Sequence, residues 1–351
     1  MLEQSEIAHY LLSLGLVKPR VVIDEDFAVT DASRRNCVFI ASTRGGPTFV
    51  VKQALPRNAP ALEREAAVLR ALADSTPLAE RVPTVVHQER DAGLLILQSA
   101  AGARDWVEHH GARRFPRVPA RSLGRTLAAL HRMPADGIAD VPDDVDRMWA
   151  LSLPEPPHDR LLGLSAGALD LVARLQASQA ACDRLRALRA TVSDEGLVHA
   201  DLRWENCLTV AAPGSRRRTR VLLVDWELAG RGTWAFDVGS VLAEYVRAWV
   251  WSIPIVDPSE PGRLASHATF PLSRMRPAMH AFWSAYRQAS PRPAMLRRVI
   301  ELAAVRLIQT AVERAQGLAT VSAHVVTLLQ LADNMLRQPE HAAFELVGLR
   351  E

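Results

Sequence analysis

The densest group of polar side chains lies between Val198 and Leu208, where His199, Asp201 and Asn206 follow a short apolar run. A second apolar run ends in Asp225. A carboxylate can orient a hydroxyl nucleophile, and carboxylate or amide oxygens can hold Mg²⁺ against nucleotide phosphates. Asp201 could serve the hydroxyl, while Asn206 and Asp225 could hold the metal. These residue types, in this order, indicate the chemistry of phosphoryl transfer.

The elements that must position these residues change in character along the chain. After a short helix over 5–16, β-branched and aromatic runs separated by turn-like segments predict a three-stranded antiparallel meander, one helix and two more strands. In chain order these are strands 21–23, 37–40 and 48–51, helix 62–73, and strands 82–87 and 94–98. The first part of the chain is therefore expected to be a small β-rich lobe.

Beyond Gly102 the pattern becomes mostly helical, because apolar residues recur at helical spacing. The predicted helices cover 121–133, 167–190, 237–251, 275–289, 294–316 and 319–336, interrupted by strands at 196–199 and 220–225. The expected fold class is α+β, with a bilobal organisation. We expect an N-lobe over 1–98, a hinge over 99–103 and a helical C-lobe over 104–351.

Composition narrows the classes of protein. The 351 residues are 48% hydrophobic and 23% charged, which favours a folded core over disorder. A net charge of only +3 argues against a nucleic-acid partner. Without a run of about 18 apolar residues we expect no membrane partner, and since residues 1–6 carry no basic segment leading into an apolar core, we expect no secretory signal. Three scattered cysteines fit neither a disulfide framework nor a zinc site, so we expect a cytoplasmic protein.

The two polar blocks resemble those of the aminoglycoside/choline phosphotransferase family, which has a protein-kinase-like fold. The family pattern His-Gly-Asp-x-x-x-x-Asn corresponds here to the segment from His199 to Asn206, and its metal-binding segment to Val224-Asp225-Trp226-Glu227. The resemblance implies an ATP-dependent enzyme with Asp201 as catalytic base and His199 as a loop-ordering residue. We count Arg203, on the same loop, with the catalytic group.

Two further implications of the resemblance concern metal and loop anchoring. Asn206 and Asp225 would be the Mg²⁺ ligands. Asp237, in Phe236-Asp237-Val238-Gly239, would cap the helix that it opens and tie down the catalytic loop. Ala200 stands where the family usually has glycine, which places a methyl group on a tight loop.

The resemblance also implies a nucleotide site in the N-lobe. Lys52, one of only two lysines, ends the third predicted strand and would contact the α- and β-phosphates while pairing with a glutamate on the next helix. We choose Glu65, because Glu63 is about 200° away around the helix. The remaining nucleotide-binding candidates are the hinge residues Gln98, Ser99 and Ala100, and the turn residues Ser33, Arg34, Arg35 and Asn36, which replace a glycine-rich loop.

The sequence says least about which molecule accepts the phosphoryl group. Between 273 and 338 there are nine arginines and three acids, which argues against a polycationic aminoglycoside. A choline-like cation would need an aromatic cage, for which the candidates are Trp249, Trp251, Phe282, Trp283 and Tyr286.

The loop sequences also resemble phosphotransferase-like proteins of ribosomally made peptide (RiPP) pathways, as in class V lanthipeptides. That resemblance implies Ser or Thr hydroxyls of a precursor peptide as acceptor, with a partner lyase. We rank this peptide first and another small alcohol second. A non-catalytic pseudokinase scaffold is a third hypothesis, although Lys52, Asp201, Asn206 and Asp225 are all retained.

Overall fold

The computed structural model describes residues 1–23, 27–33, 37–43, 46–55, 58–111, 114–134, 145–193, 195–212, 215–254, 265–290, 292 and 294–350. The chain forms two compact units. Within the described ranges, the first unit comprises Met1–Glu108 and Glu205–Ala229. The second comprises His109–Ala135, Pro142–Trp204 and Gly230–Glu351.

A five-stranded antiparallel sheet organises the first unit, in the order β1-β2-β3-β5-β4. Its strands are β1 (Phe27–Asp31), β2 (Cys37–Thr43), β3 (Thr48–Gln53), β4 (Thr84–Glu89) and β5 (Leu94–Ser99). Side chains alternate between its two faces, as they must in a strand. On β3, Val51 packs with Ile7 and Leu11 of helix α1 (Ile7–Ser13), whereas Lys52 faces helix α3 (Ala59–Ala73).

The predicted meander is present, but its first strand was placed wrongly. Residues 19–23 form a short helix, α2 (Pro19–Ile23), and the strand begins at Phe27. Pro19 opens α2, a position where its fixed φ and missing N–H cost nothing. Val21 and Val22 are apolar because they pack against the sheet core, which a strand pattern does not distinguish from one helical turn.

A second, three-stranded sheet in the first unit has the order β6-β8-β9. Its strands are β6 (Arg104–Asp105), β8 (Cys207–Ala212) and β9 (Ser215–Leu223). Cys207 pairs with Leu223, so the residue before β8 and the residues after β9 lie at the same end of this hairpin. Those residues are Asn206 and Val224-Asp225.

The second unit is mainly helical. Helix α4 (Trp106–Gly111) begins in the first unit, and the others are α5 (Arg117–Leu130), α6 (His158–Leu162), α7 (Ala166–Gln176), α8 (Gln179–Thr191), α9 (Trp234–Trp251), α10 (Leu272–Ala289), α11 (Leu296–Ala315), α12 (Ala323–Arg337) and α13 (Pro339–Ala342). Strands β7 (Gly196–Val198) and β10 (Gly230–Gly232) pair antiparallel. Short 3-10 turns and a π-helical turn, Ala343–Val347, complete the described elements. This arrangement confirms the expected α+β fold class.

The predicted helix over 167–190 is in fact two helices. Ser178 separates α7 from α8 because its hydroxyl accepts a hydrogen bond from the Ala181 amide, which makes it the N-cap of α8. Of the helices in the described ranges, none combines the length and the hydropathy needed to cross a membrane.

Close contact between α9 and α11 depends on a glycine. A Cβ atom on Gly239 of α9 would lie 2.7 Å from the Val299 carbonyl oxygen and 2.8 Å from the Ala303 nitrogen, both on α11. The absence of a side chain therefore lets the two backbones meet, and this contact fixes the position of α11 against α9.

Candidate active site

Lys52 is the centre of a charge cluster in the first unit. Its ammonium lies 2.8 Å from both carboxylate oxygens of Glu65 on α3 and 2.7 Å from Oδ1 of Asp225. Lys52 and Glu65 are 6% and 0% exposed, so this pair is shielded from solvent. The structure thus confirms the pairing expected between Lys52 and Glu65. Their contact with nucleotide phosphates stays a prediction.

Burial and charge compete within this cluster. Burial disfavours the ammonium form of Lys52, but Glu65 and Asp225 outweigh it, so the pKa of Lys52 is raised. For Glu65, burial is the largest influence and raises its pKa despite the opposing effect of Lys52. Both directions can hold together because Lys52 has two carboxylate partners, whereas the fully buried Glu65 shares one ammonium with Asp225.

Helix α3 also holds the segment that follows Asp225. Glu65 Oε1 accepts a hydrogen bond from the Trp226 amide at 3.1 Å, and Arg64 donates to the Glu227 carbonyl at 3.0 Å. Trp226 is fully buried, and its indole N–H donates to the Leu223 carbonyl. These contacts hold Asp225 with a φ of 67°, a conformation that a non-glycine residue adopts only when its surroundings impose it.

Asn206 and Asp225 lie at the same end of the β8–β9 hairpin. The Asn206 carbonyl accepts a hydrogen bond from the Val224 amide at 3.0 Å, which continues the pairing of Cys207 with Leu223. One carboxylate and one amide are hard oxygen donors of the kind that Mg²⁺ prefers.

Asn206 and Asp225 fit a metal site in which the nucleotide supplies some of the ligands. Across the described residues, no group of three His, Cys, Asp or Glu side chains could enclose a metal ion. A pair of protein ligands suits Mg²⁺ in phosphoryl-transfer sites, because nucleotide phosphates and water supply the other oxygens. Asn206 and Asp225 therefore fit the expected Mg²⁺ site, and their role as ligands remains a prediction.

In the second unit, helix α9 holds the backbone of the predicted catalytic loop. The Asp237 carboxylate accepts hydrogen bonds of 2.8 Å from the amides of both His199 and Ala200. Two turns further along α9, Glu244 accepts a bond of 3.1 Å from the Trp204 amide. The structure confirms that Asp237 ties down this loop. It corrects the predicted capping role, because α9 begins at Trp234 and Thr233 is its N-cap residue.

His199 is fully buried and orders the loop from within. Its Nδ1 lies 3.3 Å from the Asp201 amide, so this nitrogen is the acceptor. Ala200 has a φ of 65°, in the left-handed region that favours glycine. Ala200, which stands where the family usually has glycine, thus adopts the glycine-type backbone conformation.

Asp201 is held by two guanidinium groups. Arg203 Nε and Arg306 Nη2 each lie 2.9 Å from Asp201 Oδ1, and Arg203 also bonds Glu313 at 2.7 Å. Burial opposes ionisation of Asp201, but Arg306 and Arg203 outweigh it and lower the pKa of this carboxyl below its usual range. Asp201 is therefore a fixed anion.

For the other candidates that the structure describes, no contact supports or opposes a nucleotide-binding role. Ser33 is exposed, and its hydroxyl accepts a hydrogen bond from the Val38 amide at 3.0 Å within its own turn. At the end of β5, Gln98 is exposed and Ala100 half-buried, while the buried Ser99 hydroxyl has no partner among the described residues. Arg34, Arg35 and Asn36 lie outside the described residues. For all seven, nucleotide contact stays a prediction.

Sequence reasoning missed four residues that contact the predicted segments: Arg64 in the first unit, and Glu244, Arg306 and Glu313 in the second. Arg306 and Glu313 lie two turns apart on α11, a helix that is otherwise largely buried and apolar. Their signal was available, because Arg306, Gln309 and Glu313 recur at helical spacing on a helix whose pattern is that of a core element. Arg64 had no comparable signal.

The fold resembles several solved structures. A choline/ethanolamine kinase family protein from Mesorhizobium loti is 18% identical, with a TM-score of 0.54 and coverage of 97% of both chains. A GDP complex of an aminoglycoside 2'-phosphotransferase is 14% identical, with a TM-score of 0.55 and coverage of 95% of this chain and 99% of that one. An ethanolamine kinase from Plasmodium vivax is 11% identical, with a TM-score of 0.54 and coverage of 92% and 85%. At these identities the likeness establishes the fold alone.

The family of the chain follows from its sequence. No curated protein matches the chain. The model of the phosphotransferase enzyme family, by contrast, matches residues 28–282, which is more than half of the sequence and includes Lys52, Asp201 and Asp225. The chain therefore belongs to the phosphotransferase enzyme family.

Proposed function

We propose that the protein is an ATP- and Mg²⁺-dependent O-phosphotransferase that moves the γ-phosphoryl group to a hydroxyl acceptor, with Asp201 as the base. The observation that carries the proposal is the contact of the buried Lys52 ammonium with the buried Glu65 and with the more exposed Asp225. An ammonium held by a buried carboxylate beside an oxygen donor for a metal is the arrangement that phosphoryl transfer requires. GDP is bound in the related aminoglycoside phosphotransferase structure, which agrees with a nucleotide donor.

The residues divide into two roles. Lys52, oriented by Glu65, holds nucleotide phosphate oxygens, and Asn206 and Asp225 hold Mg²⁺, which supplies positive charge to those oxygens when it is bound. Asp201 orients the acceptor hydroxyl and receives its proton on the carboxylate. Since the pKa of Asp201 is lowered, the proton is transferred late, and positioning rather than strong basicity is its main contribution.

For the acceptor, we propose a neutral or anionic molecule and not a cation. A choline cage would need aromatic faces open to the ligand, but Arg314 and Arg287 already lie 5.7 Å from the ring centroids of Trp251 and Trp283. Phe282 and Tyr286 are fully buried on α10.

The excess of arginines over acids between 273 and 338 also favours a neutral or anionic acceptor, but less strongly in the structure than in the sequence. Arg297, Arg306 and Arg337 of the arginine-rich 273–338 segment each pair with a carboxylate. The acids that a polycationic acceptor would need are also occupied: Asp201 of the catalytic loop and Glu313 of α11 are both paired with arginines. Among acceptors without positive charge, we propose the Ser or Thr hydroxyls of a ribosomally made precursor peptide, whose phosphate a partner lyase would then eliminate.

The test is incubation with ATP and Mg²⁺ against a panel of serine- and threonine-containing peptides and small alcohols, followed by mass spectrometry. Matched peptides with alanine at each hydroxyl position are the control. Phosphorylated peptides would support the peptide acceptor, whereas phosphorylated small alcohols with untouched peptides would end it and leave the phosphotransferase intact. Nucleotide that neither binds nor is consumed would contradict the whole proposal.

A further inference from the structure

We propose that Arg306 is a positioning residue for Asp201: from α11, it fixes the carboxylate in the orientation needed to meet the acceptor hydroxyl. The inference rests on the proposed function and adds a residue to the same site. Arg306 lies beyond residues 28–282, the part of the chain that matches the family model, so family membership does not assign it.

The first support is the geometry of the contact. Arg306 Nη2 and Arg203 Nε both lie 2.9 Å from the same oxygen, Asp201 Oδ1. Charge-assisted bonds of this length are among the stronger ones in proteins, and two on one oxygen oppose rotation of the carboxylate about its Cβ–Cγ bond. The carboxylate is thus fixed before an acceptor arrives.

The two arginines differ in how firmly they are themselves held. The Arg203 side chain is 31% exposed and belongs to the catalytic loop, so it moves with Asp201. The Arg306 side chain is 4% exposed and projects from α11, whose residues from Val299 to Val312 are almost all buried. Arg306 therefore joins Asp201 to a rigid element outside its own loop.

The position of α11 is itself fixed relative to the helix that anchors the loop. Gly239 of α9 brings the backbones of α9 and α11 together beside Val299 and Ala303. Arg306 lies about one turn beyond Ala303 on α11. On α9, Asp237 bonds the loop amides. The backbone of the loop and the carboxylate of Asp201 are consequently held by two helices in close contact.

The charges around Asp201 indicate that Arg306 positions this carboxylate and does not serve to attract a charged acceptor. Four groups face one another: Asp201, Arg203, Arg306 and Glu313, with Glu313 bonded to Arg203 at 2.7 Å and 3.8 Å from Arg306. Two positive and two negative charges cancel, so the set neither attracts nor repels a charged acceptor strongly. Besides these groups, His199 faces Asp201 from its own loop. Glu244 of α9 also interacts with Arg306, but it is paired with Arg247, so this further pair of charges balances.

The experiment measures kcat between about pH 3 and pH 9, a range that includes the acid limb of the wild type, for the wild type and Arg306→Gln, using the accepted substrate from the panel above. We expect kcat to fall roughly 100-fold because the carboxylate loses its fixed orientation. The acid limb should also move to higher pH, because only Arg203 and His199 then oppose the effect of burial on the pKa of Asp201. Nucleotide affinity should stay within roughly twofold, since Lys52 and its partners are unchanged.

Three other variants separate positioning from general stability. Arg306→Lys retains the charge but not the planar fork, so it should keep the wild-type acid limb with a lowered kcat. Glu313→Gln removes a negative charge, so it should not move the acid limb upward. Arg297→Gln changes another ion-paired arginine on α11, bonded to Glu301, and should match the wild type in both readouts.

Wild-type kcat in Arg306→Gln, or a lowered kcat with an unmoved acid limb, would overturn the inference. If Arg306→Gln does not fold in thermal unfolding, Arg306→Lys decides, and wild-type kcat in that variant would overturn the inference equally. Failure of the proposed function would look different, because the wild type itself would then transfer no phosphoryl group to any acceptor.

Discussion

Asp237 holds Ala200 in a backbone conformation that suits glycine: its Oδ1 accepts a hydrogen bond of 2.8 Å from the Ala200 amide, and the φ of Ala200 is 65°. A non-glycine residue in this region costs roughly 1–2 kcal/mol. Asp237 is fully buried and also bonds the His199 amide, so the strain is imposed by the anchoring of the loop. Ala200 directly precedes Asp201 on this loop.

Ala200→Gly should stabilise the protein. Relief of the left-handed strain exceeds the roughly 0.5–1 kcal/mol that glycine costs through its freedom in the unfolded chain, which leaves a net gain of about 0.5–1 kcal/mol. Chemical denaturation measures this change. Ala187→Gly, on the exposed face of α8, is the control and should destabilise by about 1 kcal/mol. A loss of stability in Ala200→Gly would mean that the positive φ is not a source of strain.

Lys52→Met should abolish Mg²⁺-dependent stabilisation by ATP. It removes the ammonium that we propose binds phosphate, and it leaves Glu65 buried without its partner, which costs about 3–5 kcal/mol of stability in comparable pairs. Thermal unfolding with and without MgATP measures both effects. Lys18→Met, at the other lysine of the chain and on an exposed site, should behave as the wild type. An unchanged MgATP response in Lys52→Met would remove Lys52 from the nucleotide site.

How much of this arrangement the sequence could predict depended on distance along the chain. Lys52 and Glu65 are separated by one strand end and the start of one helix, so element order and helical periodicity were enough to pair them. Asp201 and Arg306 are 105 positions apart, and their contact depends on the packing of α11, which no local pattern encodes. The predicted strand at 21–23 was wrong for a related reason, since a short apolar run does not distinguish a strand from one helical turn.

The pair of Glu244 and Arg247 predicts a pH-dependent contribution to stability. Burial opposes ionisation of Glu244, but Arg247 and the Trp204 amide outweigh it and lower the pKa of the carboxyl. A lowered pKa stabilises the folded state above the unfolded value, about 4.3, and that stabilisation is lost as pH falls through the folded value.

The measurement compares the unfolding free energies of the wild type and Glu244→Gln between about pH 7 and pH 3. The wild type should be more stable by about 1–3 kcal/mol near neutrality, because the variant deprives the Arg247 guanidinium, whose side chain is 13% exposed, of this carboxylate. The difference should hold down to about pH 5 and shrink below about pH 4. A difference that grows as pH falls would reverse the sign of the argument.

Gly239→Ala should be strongly destabilising. The new methyl group would lie 2.7 Å from the Val299 carbonyl oxygen, and backbone cannot move aside as a flexible side chain can. Separation of α9 from α11 should cost about 1–3 kcal/mol in chemical denaturation. Gly163→Ala is the control, because nothing lies within 4 Å of the position that its methyl group would take and its φ of −88° suits alanine. Equal stability of the two variants would contradict the close α9–α11 contact.

The most direct test of the account is transfer of labelled γ-phosphate from ATP by the wild type and Asp201→Asn, with ATP affinity measured alongside. If Asp201 is the base, the substitution should lower kcat by about 10²–10⁴-fold while the Kd for MgATP stays within roughly threefold. Transfer by Asp201→Asn at the wild-type rate would contradict the account, because the reaction would then not depend on the carboxylate that both arginines hold.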